Sequence, residues 1–309
     1  MKVLMMPDFT GANPYQADLA EALQAQGSRV RFADHRVVLA PILRAALACR
    51  ADVLHLHWTH PFTMHRRLSV TLIRSAQTLA ELALLRLSGV RIVWTIHNLS
   101  EHEQRHPRLE RWVLWALARL AHERIVHSEA ALRAVMKAYG LPARVIPHGV
   151  AEPVRWEQGP AREILSLPTS LLYLVFGLVR AYKRVPDIIK AFRCIADPRA
   201  VLLIVGQPRT QAIQDEVDGL AAMDPRVIVR WGFVPEPDVA KYFASADSVV
   251  VAHEGITSGV AVLAAAYGKR LVDGGFRSQS VPATLLWGEV ATRTLALYQG
   301  EREAVHAHA

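Results

Sequence analysis

Cysteine is scarce in this sequence: Cys49 and Cys194 are the only two in 309 residues. That excludes a disulfide framework and a thiolate cluster, and suits a reducing compartment. Long apolar runs are missing too. No stretch reaches 18 apolar residues, so no membrane span is expected. The opening MKVLMMPDFTG reads as a first strand, without the charged-then-apolar pattern and small-residue site of a secretion signal. A cytoplasmic protein is therefore expected. No G-x-G-x-x-G follows the first strand and no G-x-x-x-x-G-K-[ST] occurs, which removes support from nicotinamide and P-loop readings. Ser128 has no nucleophile-elbow context and reads as a helix cap. No Asp-x-Asp occurs, so no metal held that way is implied, and tandem repeats and low-complexity tracts are absent.

Charge is unbalanced in the positive direction: 36 Lys and Arg against 28 Asp and Glu, a formal charge of +8 and a pI near 9.8. Such a field favours anionic partners, of which nucleotides, nucleic acid and acidic lipid are the obvious classes. No sheet-like run of interleaved aromatic residues supports nucleic acid.

Apolar residues make up 51% of the chain, ample for a large core, and the length favours two domains. Short β-branched strands alternate with helical patterns almost throughout. KVLMM, RVRF, DVLHLH, RIVWTI, RIVHS and ARVIP form a first series; LLYLVF, AVLLIVG, RVIVRW and SVVVAH form a second. Continuous apolar strands between helices indicate parallel sheets buried on both faces. Residues 151–168, AEPVRWEQGPAREILSLP, break the rhythm and read as a linker. The expected fold class is α/β: two Rossmann-like domains, with parallel sheets facing a cleft, at 1–150 and 151–309. Ligands are expected beyond the carboxyl ends of the strands.

Two strand-to-helix segments in the second series carry anion chemistry. In VVVAHEGITSGVAVLAAAYG the strand leads to a helix starting near Thr257 or Ser258. A helix N-terminus offers free N–H groups and a partial positive charge. Ser and Thr add hydroxyls, and Gly259 permits close approach. The alternative role for Thr257 or Ser258 is ordinary capping. In FGLVRAYKRVPDIIKAF, Gly177 ends the strand and Arg180 and Lys183 follow it. Two cations beside a helix tip can neutralise a diphosphate.

These segments together resemble the retaining family-4 glycosyltransferases of the GT-B fold. VIPHGV at 145–150 is similar to the family's inter-domain segment. LLIVGQP at 202–208 is similar to its strand-plus-glycine, and VRWGFVPEPDVAKYFASADSVVVAH to the stretch preceding its donor motif. The Thr-Ser-Gly loop resembles one branch of the family. The resemblance implies a GDP- or UDP-sugar donor, transfer to a glycan or lipid-linked acceptor with retention of configuration, and a role in polysaccharide biosynthesis. It implies donor contacts from Gly177, Arg180, Lys183, Thr257, Ser258 and Gly259, with Glu254 on the sugar and His97 at the reaction centre. The family often places a second Glu seven or so residues after the first; here Val262 or Leu263 stands there, which leaves a ribose contact without its carboxylate. No cofactor and no metal are expected, since Arg180 and Lys183 would neutralise the diphosphate.

The first series adds an acceptor side. HLHWTH at 55–60 puts His57 and Trp58 at a strand end, where imidazole and indole suit a sugar ring; His-x-His without a further ligand is a weak metal signal. MPDFTGANPY at 6–15 places Gly11 and Asn13 in the loop after the first strand. Asn98, Glu101 and Glu103 follow His97; one of the acids would have to serve as base if the enzyme inverts. The basic, tryptophan-bearing helices within 66–120 pack on a sheet, or dock at the inner face of the cell membrane, or do both with different faces. Two alternatives stand beside the transferase: a nucleotide-sugar epimerase of the same fold, and a non-catalytic nucleotide-sugar-binding protein. The missing second Glu and the short stretch after Gly268, which reads as a shortened second domain, favour the latter.

Overall fold

Alternating apolar strands and amphipathic helices build two α/β units. The computed structural model describes residues 1–11, 13–34, 39–97, 106–251 and 258–300. One unit comprises Met1–Gly149 with Leu285–Ala309, the other Val150–Thr284.

The first unit runs β1 (Lys2–Met6), α1 (Tyr15–Ala25), β2 (Arg29–Phe32), α2 (Pro41–Cys49), β3 (Val53–Leu56), α3 (His60–Thr63), α4 (Leu68–Leu87), β4 (Arg91–Thr95), α5 (Pro107–Leu120), β5 (Glu123–Val126), α6 (Glu129–Tyr139) and β6 (Arg144–Val145). Its sheet is parallel in the order β2-β1-β3-β4-β5-β6. This is a doubly wound order whose switch point lies between β1 and β3. Gly27 and Gly89 follow α1 and α4 with φ of +86°, the left-handed helix ends that the sequence indicates. Ser128 caps α6, its hydroxyl accepting from the Ala131 N–H.

The second unit follows β7 (His148–Val150). It runs α7 (Gln158–Ile164), β8 (Leu172–Phe176), α8 (Val185–Phe192), β9 (Val201–Gly206), α9 (Gln211–Ala221), β10 (Val227–Trp231), α10 (Glu236–Ser245), β11 (Ser248–Val250), α11 (Gly259–Ala266), β12 (Arg270–Val272), β13 (Ser278–Gln279) and β14 (Thr284–Leu286), before α12 (Trp287–Gln299) closes the chain. The sheet order is β10-β9-β8-β11-β12-β13, parallel except for β13. Its switch point lies between β8 and β11. The loops that follow those two strands hold Gly177, Arg180 and Lys183 on one side and Ser258 on the other.

Two expectations are corrected. The linker at 151–168 contains a helix, α7, whose Arg162 is buried and pairs with Asp247 at 2.7 Å. The chain after Thr284 does not extend the second domain. It returns to the first, where Val290, Ala291, Leu297 and Tyr298 of α12 join the core formed by Val3, Met5, Leu19, Leu23 and Val93. Arg91 donates to the Leu297 carbonyl at 2.8 Å and ties the end of α12 to β4. The stretch after Gly268, short as it is, thus supplies a returning helix.

Candidate active site

In the second unit, β8 ends at Phe176 and the chain turns at Gly177, whose φ of +88° suits a residue without a side chain. A helical turn at Ala181–Lys183 then folds Lys183 back toward the strand end. Its ammonium donates to the Phe176 carbonyl at 3.3 Å and lies 3.6 Å from where a Gly177 Cβ would stand. Phe176, Lys183, Val250, Val251, Ser258 and Val260 line one open concavity with about 300 Å³ of free space. Arg180 is exposed beside it. The loop after β9 braces this arrangement. Val179 N–H donates to Gln207 O, and a Cβ on Gly206 would collide with the Gly177 carbonyl.

Some cations of this unit are ion-paired, and others, such as Arg230 and Lys269, donate to carbonyls instead. Arg162, Arg184, Arg226 and Arg277 each pair with an aspartate. Arg180 and Lys183 have no carboxylate partner among the described residues. Burial first, and the Arg180 charge second, pull the Lys183 ammonium below the usual lysine range. An anion placed between the two cations relieves both effects. Ser258 is the N-cap of α11 but makes no side-chain capping bond. Ser258 thus does not take the capping alternative, and a helix start of this kind has first-turn N–H groups without intrahelical partners. Gly259 opens the helix, with nothing within 4 Å of where a Cβ would stand. Of the sequence-indicated donor residues, the fold brings Gly177, Lys183 and Ser258 together with Arg180 alongside; Thr257 and Glu254 lie outside the described residues.

In the first unit a repeated pattern emerges that single-residue reading passes over. β3, β4, β5 and β6 are followed by His57, His97, His127 and His148, each at the carboxyl end of its strand. Tyr15, the first residue of α1, stands among them, with ring centroids 5.8, 4.9, 5.3 and 5.0 Å from the four in that order. His97 is partly exposed and stacks on Trp58 at 4.3 Å and 12°. Its Nε2 lies 3.2 Å from Nδ1 of His57. His127 and His148 donate through Nδ1 to the carbonyls of Ile146 and Gly149 at 2.9 and 2.8 Å. Beneath them His55 bridges Tyr298 Oη and Thr95 Oγ1 at 2.6 and 2.7 Å.

Burial keeps this cluster uncharged. It lowers His55 to about 3 and His127 to about 4, and holds His57 and His97 well below the ordinary histidine value, with neighbouring imidazoles adding to the effect. His148 is lowered in the same way, offset in part by its hydrogen bond. No group of three His, Cys, Asp or Glu side chains among the described residues has metal-holding geometry.

The acceptor set needs one correction. His57 is only 2% exposed, so it supports His97 from below rather than meeting an acceptor. Trp58 stays partly exposed. Asn13 accepts from the Tyr15 N–H at 3.0 Å and so shapes the start of α1, while Gly11 sits exposed with open space around it. Asn98, Glu101 and Glu103 lie outside the described residues. His127 and His148 were legible in principle, because RIVH and RVIPH repeat the strand-then-histidine pattern of RIVWTIH, whereas Tyr15 carries no such signal.

Comparison with known proteins agrees with this division. Residues 9–152 match the family model Glycosyltransferase Family 4, and residues 171–274 match Glycosyl transferases group 1. A GDP-mannose:glycolipid 4-beta-D-mannosyltransferase from Xanthomonas campestris pv. campestris is 30% identical over 295 residues, covering 94% of this chain and 77% of that protein. The chain belongs to the GT-B glycosyltransferases. Solved structures carry the same fold. Sucrose-phosphate synthase from Thermosynechococcus elongatus superposes with a TM-score of 0.67 at 18% identity, covering 96% of this chain and 90% of that one. HepE from Anabaena, solved with UDP and glucose, superposes with a TM-score of 0.61 at 15% identity over 96% and 89% of the two chains. This glycosyltransferase moves a sugar from a nucleotide-sugar donor, and the transferase reading displaces the epimerase and the binding protein.

Proposed function

We propose that this glycosyltransferase transfers mannose from GDP-mannose to a glycolipid and forms a β-mannoside. The observation that carries the reading is the identity with the X. campestris mannosyltransferase across 94% of the chain. The α-linked donor and a β-linked product make the transfer inverting, in place of the retention that the family-4 resemblance implies. As the bond from sugar to diphosphate breaks, negative charge builds on the leaving phosphate. Lys183, Arg180 and the open end of α11 stand ready to meet it. Groups fixed in place beforehand lower the barrier because they need no reorganisation when charge develops. These cations take the role that a metal has in other transferases, so transfer is expected to survive EDTA.

A glycolipid acceptor calls for a membrane face, and the first unit has one to offer. α4 buries Thr71, Ser75, Thr78, Leu82 and Leu85. It exposes Leu68, Leu72, Ile73, Leu84 and Leu87, and α5 exposes Trp112 and Trp115, the latter under the Arg119 guanidinium at 3.6 Å. α4 is long and apolar enough to cross a bilayer, yet a third of it is buried in the fold. Apolar residues edged by Arg66, Arg67, Arg74 and Arg111 suit a peripheral contact with an anionic leaflet, in which the helices lie flat. The protein would then work at the cytoplasmic face of a membrane.

The test is a transfer assay with radiolabelled GDP-mannose and a membrane glycolipid extract, with and without EDTA. The expected result is label in the lipid phase in β-linkage, together with a rise in Tm with GDP that UDP and ADP do not match. Stabilisation by UDP alone, or an α-linked product, would overturn the reading.

A further inference from the structure

We propose that His148 is the base that takes the proton from the acceptor hydroxyl, an assignment that rests on the inverting reading above. His148 opens β7, just past the carboxyl end of β6. Its Nδ1 faces the Gly149 carbonyl at 2.8 Å. A carbonyl only accepts, so the single proton of the neutral ring is on Nδ1 and the lone pair is on Nε2. That Nε2 has no partner among the described residues. Unlike Nε2 of His57 and of His127, it is not sealed from solvent.

The other strand-end histidines are less suited. His57 is enclosed, with its Nδ1 against His97. His127 has the same carbonyl anchor, but its free nitrogen is buried. His97 engages its Nε2 with His57, and its ring lies flat on Trp58. His148 stands edge-on to Tyr15 at 5.0 Å, and His97 stands edge-on to the same ring at 4.9 Å. The two are therefore neighbours in one site. Trp287 and His127 hold the far sides of the His148 ring at 5.8 and 5.4 Å. Tyr15, His127 and His97 are the titratable groups around it, and none carries charge near neutrality, so His148 is neutral and able to accept a proton.

The step balances without another reactant. The acceptor oxygen bonds to the anomeric carbon as its proton passes to His148 Nε2. The bond from that carbon to the diphosphate oxygen breaks, and the electron pair stays with the GDP leaving group. The imidazolium then gives its proton to water when products depart. A positioned base of this kind contributes about 10²–10⁴-fold.

His148→Ala should lower kcat of the radiolabelled transfer by about 10²–10³ while leaving the GDP-induced rise in Tm unchanged. Added imidazole should restore at least a tenth of the lost rate to His148→Ala and none to His97→Ala. Wild-type kcat/KM should fall on the acid side of neutrality, and His148→Gln, which keeps the packing, should lose that limb. A His148→Ala enzyme within threefold of wild type, or one whose defect imidazole does not relieve, overturns the proposal. The product's linkage separates the two ideas. A β-linked product from an active His148→Ala enzyme sinks this assignment alone, whereas an α-linked product sinks the inverting reading with it.

Discussion

Lys183 and Arg184 are adjacent cations with opposite surroundings. Arg184, in the left-handed region at φ +48°, turns outward and pairs with Asp187 at 2.8 Å. Lys183 turns inward, without a carboxylate, onto a strand-end carbonyl. A residue held this way contributes little to stability, since its hydrogen bond offsets a desolvated charge. On the proposed reading its worth lies in meeting an anion. Lys183→Met, which keeps the apolar stem, should lower kcat by about 10²–10³ and shrink the GDP-induced Tm shift, with the ligand-free Tm kept or raised. Steady-state kinetics and thermal shift check both; full turnover in the variant would remove the diphosphate contact. In the sequence Lys183 by itself reads equally well as part of a solvated basic turn, and only its pairing with Arg180 and the Thr-Ser-Gly helix start singles it out. His148 was harder to see. A single histidine at a strand end is ordinary, and its meaning came only when four strands in one sheet were found to end that way around Tyr15.

Strands and their helices were readable as elements because apolar runs of this length fit a doubly covered parallel sheet and little else. The last helix was not. Val290, Ala291, Thr294, Leu297 and Tyr298 give α12 a buried stripe, but periodicity names a face and not the partner it packs against. Which sheet receives α12 is decided by contacts between residues more than 200 positions apart, such as Arg91 with Leu297 and His55 with Tyr298. The second of these offers a direct test of the return. Tyr298→Phe keeps the ring and removes the hydroxyl, which leaves His55 Nδ1 buried without a partner. Unfolding of the first unit in urea should become easier by about 1–3 kcal/mol. The GDP-induced stabilisation, which the proposed diphosphate site assigns to the second unit, should not change. Equal stability in the two proteins would show that α12 does not depend on this bond.

For the molecule as a whole, the strongly basic balance of +8 and the neutral histidine cluster act in the same direction as pH falls. In the folded chain His55 and His127 titrate at about 3 and about 4, and His57, His97 and His148 also below their ordinary value. In the unfolded chain all five return to about 6.5. Below that value the unfolded state binds protons that the folded state refuses, so acid favours unfolding. Stability is complete above about pH 6.5 and falls with pH until the folded-state values are reached, near pH 4 for His127 and near 3 for His55. Each histidine neutral in the fold and charged in the unfolded chain adds a slope of about 1.4 kcal/mol per pH unit. Added positive charge on an already basic chain steepens the loss through self-repulsion. His127→Asn is the informative variant, because its amide can donate to the Ile146 carbonyl as Nδ1–H does now. Whatever it costs at pH 7.5, it should flatten the stability profile between pH 6 and pH 5 by about 1.4 kcal/mol per unit. Urea unfolding at pH 7.5, 6 and 5 measures this, and parallel profiles for variant and wild type would mean that His127 is charged in the fold, contrary to the burial that surrounds it.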